Sequence, residues 1–209
     1  MVGELSRLLR ERGARGTSSA PRVVHRIDQD TSGLLVFALN EPAEERLDAL
    51  WERHDIERVY EVFVAGKVSP GKRRLHNWLI RDRGDGRRGA LASPREGAQE
   101  AVLDFEAVDW RPGASRLRVT LRTGRTHQVR LQMEQLGHPV LGDPVYGDAA
   151  SAPRLALHAG VLGFSHPRGG HPARWLSPLH DDLEAWWRDA GDAGASTPPR
   201  RSARQKPRR

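Results

Sequence analysis

The stretch His25-Arg26-Ile27-Asp28-Gln29-Asp30-Thr31-Ser32-Gly33-Leu34-Leu35 sets an arginine two residues ahead of a carboxylate, in a turn-like segment that enters the apolar run Leu34–Leu39. In extended backbone, side chains two apart point the same way, so Arg26 and Asp28 share a face. Apolar neighbours on both sides imply partial burial of Asp28. Burial favours the protonated carboxyl, and an adjacent guanidinium favours the charged form. Asp30 is the rival carboxylate, and Thr31-Ser32-Gly33 supplies turn chemistry for either one. A second block follows much later: Thr123-Gly124-Arg125-Thr126-His127-Gln128-Val129-Arg130, then Gly137-His138-Pro139-Val140-Leu141-Gly142-Asp143. Together the two blocks offer a lone carboxylate, candidate arginine partners and a basic surround. That set suits chemistry on a nucleotide inside a polyanion, with no metal required.

The rest of the chain supplies a scaffold. Its 209 residues are enough for one substantial domain with tails. A hydrophobic fraction of 37% and a mean hydropathy of −0.64 describe a polar-surfaced protein. No apolar run reaches the length of a membrane span, and Met1-Val2-Gly3-Glu4-Leu5 lacks the basic-then-apolar pattern of a secretory signal. There is no cysteine, which excludes thiolate nucleophiles, disulfides and cysteine-based zinc sites. The net charge of +7 is unevenly placed: without the six cations of residues 200–209, 28 cations face 27 anions, a net of +1. Residues 191–209 therefore read as a disordered basic tail, able to attract phosphates or simply to solubilise the chain.

Periodicity places the elements. Val2, Leu5, Leu8 and Leu9 predict a short amphipathic helix, followed by a Gly/Ser/Pro linker from Gly13 to Pro21. Leu34–Leu39 predicts a buried strand. Asn40 predicts a helix cap, with Pro42 in the first turn of a helix reaching His54. Residues 56–65 alternate as a strand, with Tyr60, Val62 and Val64 on one side. Residues 67–99 predict short strands around polar hairpins, with Gly84-Asp85-Gly86 as a hairpin tip. Ala101–Trp110 and Leu117–Arg122 form an antiparallel pair through Arg111-Pro112-Gly113. Thr126 is the predicted cap of a helix through Leu136, with Gly137 at its stop. Leu155–Phe164 is extended, and Leu179, Leu183 and Trp186 form the inward stripe of a last helix. The fold class is α+β, a largely antiparallel mixed sheet with a few packed helices.

Candidate roles follow from residue type. Arg130 lies one turn into the helix, where it can hold Asp28 through a charge-assisted pair or snorkel at the surface. Arg125 stands at the helix entrance, beside free backbone N–H groups that suit a phosphate. His127 and Gln128 can face a ligand or satisfy local backbone. Tyr60 can be a core tyrosine or a ring that stacks on a displaced base. The nine histidines form no recognisable metal pattern.

His25-Arg26-Ile27-Asp28 with Thr31-Ser32-Gly33-Leu34-Leu35 resembles the first signature of the RluA-type family of RNA pseudouridine synthases. Arg58-Val59-Tyr60 resembles that family's basic-x-Tyr strand. Thr123–Arg130 with Gly137-His138-Pro139, Gly142-Asp143 and Tyr146-Gly147 resembles its third motif. Leu155-Ala156-Leu157-His158-Ala159 with Phe164, His166 and Pro167 resembles its closing strand. The resemblance implies a pseudouridine-synthase-like catalytic domain over residues 1–190. Its implied activity is a cofactor-free isomerisation of uridine to pseudouridine in structured ribosomal or transfer RNA, in the cytoplasm, by a monomer with no nucleotide cofactor. It implies Asp28 as the essential carboxylate, Tyr60 as the stacking ring and Arg130 as the partner of Asp28. It further implies Arg26 filling the space of a flipped nucleotide, with His25, Arg125, Thr126, His127, Gln128 and Leu157 around the substrate. The resemblance has departures. The family's N-terminal strand and Lys-Pro loop find no counterpart ahead of the first motif, which implies a truncated start or a shortened member. Gln132 stands where a histidine is frequent. Two rivals remain: a non-catalytic RNA-binding relative, and a glycosidase. The latter needs two carboxylates flanking one bond, and here arginines occupy the places of sugar-stacking aromatics.

Overall fold

A computed structural model describes residues 2–11, 20–81 and 88–192. Most of the linker, the 84–86 hairpin tip and nearly all of the basic tail lie outside the described residues.

The first helix, α1, spans Val2–Glu11. Two short strands, β1 (Arg22–Val23) and β3 (Phe37–Ala38), pair antiparallel, and β2 (Ser32–Gly33) lies between them in sequence. The apolar run Leu34–Leu39 is thus not the single strand its composition predicts. Its start follows β2, which pairs in parallel with a distant strand, and its end turns back to pair with Arg22 and Val23. Tertiary pairing overrides a local pattern that had only apolarity to go on.

Helix α2 spans Glu41–Glu52, capped as the sequence predicts: the Asn40 side chain accepts from the Ala43 amide and Pro42 sits in the first turn. Strands β4 (Glu57–Ala65), β5 (Arg73–Ile80), β6 (Gly89–Leu91), β7 (Gln99–Arg111), β8 (Ala114–Leu121), β9 (Leu157–Ser165) and β10 (Pro172–Leu176) form a sheet in the order β10-β9-β4-β8-β7-β5-β6, with β2 on β9. All pairs in this sheet are antiparallel except β2–β9. Helices α3 (Gln128–Gln135) and α4 (Asp181–Asp192) complete the α+β fold.

The central strand β4 packs on different partners through its two faces. Tyr60, Val62 and Val64 join Leu103, Leu117 and Val119 under Val129 and Met133 of α3. Phe63 faces the other way, onto Leu183 and Trp187 of α4. The inward residues of α4 are therefore Leu183 and Trp187, with Trp186 only partly buried. Leu47 and Leu50 of α2 pack with Ile56, Leu162 and Phe164. No described helix is long and apolar enough to cross a membrane.

Candidate active site

Three chain segments converge at one end of β4. The Asp28 turn is closed by the Thr31 amide donating to the Asp28 carbonyl at 3.0 Å. It is then fastened to β9 by the β2 pairing and by Leu34 N–H to Ala159 O at 2.9 Å. Gly33 has φ +111°, and a Cβ there would stand 2.2 Å from the Ala159 carbonyl oxygen, so only glycine lets the turn reach β9. Ser32 Oγ meets His158 Nδ1 at 2.8 Å, and Arg154 Nη2 donates to the same Oγ at 3.1 Å. These contacts fix the carboxylate-bearing turn from behind.

Beside it, the pairing of β4 with β9 shifts register between Val59 and Tyr60, a bulge of the kind that re-aims side chains near sites. Tyr60 is 8% exposed, and burial pushes its phenol up to about 12, with Arg58 opposing and Asp28 reinforcing that rise. It is a neutral hydroxyl at physiological pH. Its ring shares a cavity of about 260 Å³ with Asp28, Leu121, Val129 and Leu157. Arg26, Arg58, Arg125, Thr126 and His127 also line that cavity, giving an apolar floor with a cationic wall.

Arg130 ties the third segment to the first. Its Nε and Nη2 donate to the two carboxylate oxygens of Asp143, both at 2.7 Å, and its Nη1 lies 3.5 Å from Asp28 Oδ2. The guanidinium also lies over the Tyr146 ring, 5.1 Å from its centroid. The bidentate partner of Arg130 is thus Asp143, and Asp28 receives its remaining nitrogen. Asp143 is 0% exposed. Burial pushes its carboxyl up, but Arg130 and the amides of Tyr146 and Val145 outweigh that and hold it below the usual range. Nothing in residue spacing pointed to this pair; Asp143 was visible only as part of a motif.

Two residues expected around a substrate also hold the scaffold together. Gln128 spends its whole amide locally: Oε1 accepts from the Thr123 hydroxyl at 2.8 Å and the Arg125 amide at 2.9 Å, and Nε2 donates to Val102 O at 3.1 Å. It holds the Thr123–Gln128 turn closed. His25 Nε2 accepts from the Val36 amide at 3.0 Å while its ring stacks on Trp51 at 4.6 Å. Both line the cavity, while the Gln128 amide and the His25 Nε2 also serve the scaffold. Thr126 is likewise not the helix cap; His127 holds that position in the left-handed region, φ +57°, with no side-chain cap bond. Its Nδ1 instead meets the Tyr146 hydroxyl at 3.0 Å.

His25 carries a testable consequence. Burial, followed by the charge of Arg58, lowers its pKa to about 4. A folded-state value below the unfolded one means that the contribution is complete above pH ~6.5 and is lost as pH falls toward the folded value, by about 3 kcal/mol in all. His25→Phe should start less stable at neutral pH, with the Val36 amide unpaired, and lose correspondingly less on acidification from pH ~6.5 to ~4. Denaturant unfolding at several pH values checks this; parallel stability curves for the two proteins would remove His25 as the cause.

A carboxylate, a buried tyrosine and several cations thus line one cavity of the mixed sheet. Comparison with known proteins places the chain in a class. Residues 2–135 match the family model for RNA pseudouridylate synthase. An uncharacterized RNA pseudouridine synthase of Bacillus subtilis, YlyB, is 38% identical over 165 residues, covering 78% of this chain and 54% of that protein. A ribosomal large subunit pseudouridine synthase D of Zymomonas mobilis is 37% identical over 179 residues, covering 81% of this chain and 56% of its own. Human RNA pseudouridylate synthase domain containing 1 superimposes with a TM-score of 0.69 at 26% identity, over 83% of this chain and 73% of that one. The chain belongs to the RNA pseudouridylate synthase family. It spans about half the length of the curated relatives it matches.

Proposed function

We propose that this domain isomerises uridine to pseudouridine in RNA, without a cofactor, using Asp28 as the essential carboxylate. The observation that carries the reading is the Asp28 carboxylate set 3.5 Å from a buried, Asp143-clamped guanidinium, facing the same cavity as the buried Tyr60 ring. The reaction breaks the N-glycosidic bond, turns the uracil and makes a carbon–carbon bond. Asp28 either attacks the sugar or removes a proton from it; both need an anionic oxygen aimed into the cavity. The aromatic face of Tyr60 and the Leu157 side chain receive the base. Because the Tyr60 phenol is neutral, it can help remove the C5 proton only by passing its own proton on in the same event.

Reaching the cavity requires the nucleotide to leave its stack, at a cost of a few kcal/mol. Arg26 suits the gap left behind: it is exposed, at the cavity rim, and has no ion-pair partner among the described residues. Among the described residues Arg125 engages only its Nε, on the Glu100 carbonyl at 3.0 Å, which leaves the rest of its guanidinium for a substrate. Relatives of Zymomonas mobilis and Vibrio cholerae named for the ribosomal large subunit support ribosomal RNA as the substrate class; transfer RNA is the alternative. The domain then works as a soluble cytoplasmic monomer, the basic residues 200–209 adding phosphate attraction.

The test is direct. Total RNA from a strain lacking the gene is incubated with the purified chain, and pseudouridines are mapped by carbodiimide-dependent reverse-transcription stops. Restoration of one or a few uridine positions is the expected result. RNA binding with no restored position would make the chain a non-catalytic relative.

A further inference from the structure

Arg58 opens the exposed-to-buried transition of β4, two residues before Tyr60 and on its face. It is only 7% exposed and stands in the wall of the Asp28 cavity. Among the described residues it meets no carboxylate. Its Nη2 makes a long hydrogen bond to the Arg122 carbonyl at 3.4 Å, and its Nε has no partner. Arg130, the other buried guanidinium of this site, has two carboxylates. Burying a cation is costly unless an anion accompanies it. Burial lowers the pKa of Arg58, Tyr60 opposing and Arg125 adding to the fall, yet a guanidinium stays charged at any physiological pH.

The neighbouring turn is shaped around this group. A Cβ at Gly124 would stand 2.4 Å from Arg58 Nη1, so the guanidinium lies flush against the Gly124 backbone. Gly124 is itself exposed, which puts this end of Arg58 near the mouth of the cavity, while Leu157 and Tyr60 are buried deeper. A nucleotide entering base-first therefore brings its backbone, and not its uracil, past the guanidinium. Arginine's planar donor fork matches a phosphodiester in charge and geometry.

We propose that Arg58 is a phosphate-binding residue that grips the phosphodiester of the flipped nucleotide, seated for that task by the missing side chain at Gly124. The proposal deepens the RNA-modifying reading above and rests on it. It explains why the basic residue ahead of Tyr60 and the glycine of the Thr123-Gly124-Arg125 turn belong together: they make one subsite from two distant segments.

The test reads Arg58 itself. The arginine Nε–Hε resonance of Arg58, assigned in the full chain by its loss in Arg58→Lys, is followed by NMR during titration with inorganic phosphate, uridine 5′-monophosphate and uridine. It should move with the two phosphates and stay still with uridine. In parallel, binding of a short uridine-rich single-stranded RNA is measured against salt. Arg58→Gln should reduce the salt slope by about one. Gly124→Ala should do nearly the same, and the double variant should be no worse than the poorer single one, as for two changes to one contact. A resonance that responds to uridine and not to phosphate, one that responds to nothing, or an unchanged slope in a normally folded Arg58→Gln protein would each overturn the assignment. The phosphate titration needs no turnover, so a phosphate response without pseudouridine formation would refute the activity and leave the subsite standing.

Discussion

Asp28→Asn is expected to lower pseudouridine formation by on the order of 10²–10⁴-fold or more, the scale for removing a carboxylate that acts as base or nucleophile. RNA affinity should stay within a few-fold of wild type. The structure makes this a clean substitution. The amide has the carboxylate's shape, and Arg130 does not depend on Asp28 for its position, because two 2.7 Å bonds to Asp143 hold it. The turn itself is fixed through backbone, by the Thr31 amide, the β2–β9 pairing and the Ser32–His158 contact. Removing the Asp28 charge thus deletes the reactive oxygen and leaves the cavity standing. Asp30 is the control: it is exposed and does not line the cavity. Asp30→Asn should therefore turn over near the wild-type rate. Single-turnover assays on the RNA identified by mapping measure both. Substantial activity in Asp28→Asn with loss in Asp30→Asn would transfer the role and break the mechanism proposed above.

Signals confined to a few neighbouring residues were readable without coordinates. The Asn40 cap with Pro42, the alternation through β4, the β7–β8 hairpin and the stop at Gly137 all depend on local chemistry, and the structure places each where the pattern does. What failed depended on distant partners. The run Leu34–Leu39 has a strand's composition, but β9 and β1 divide it between them. Trp186, expected on the inward stripe of α4, does pack on Phe63, but its neighbour Trp187 is the more deeply buried of the two. Thr126 is a good capping residue in isolation; the left-handed backbone at His127 and the Gln128 amide close that turn instead. The candidate site shows the same division. Residue types gave a carboxylate, arginines and an aromatic ring. They could not give the order of pairing, in which Arg130 serves Asp143 first and Asp28 second. Nor could they show that Arg58 is buried without a carboxylate among the described residues, while His25 Nε2 and the Gln128 amide bond to the scaffold.

Arg130→Ala should cost about 3–5 kcal/mol of stability, since it strands a buried carboxylate. For a domain of this size that corresponds to a fall in Tm of roughly 10 °C. The stranded group is Asp143, fully enclosed and bonded also to the amides of Val145 and Tyr146, so it cannot turn toward solvent without dismantling the loop it caps. The sign of the pH dependence follows from its lowered pKa: the wild-type pair contributes fully above pH ~4 and loses its contribution as pH falls through the folded-state value. In Arg130→Ala the carboxyl has lost the cation that opposed desolvation, so the variant should gain relative to wild type as the solution is acidified. Replacing both partners together, Arg130→Met with Asp143→Leu, removes the stranded charge and should recover much of the stability. It should recover none of the activity, because Asp28 would still face the cavity without Nη1. Thermal melts with turnover measured on the same preparations separate the two roles. An Arg130→Ala protein that melts like wild type would show that the pair is not what holds this loop. A double variant that regains turnover would show that Asp28 works without a guanidinium beside it.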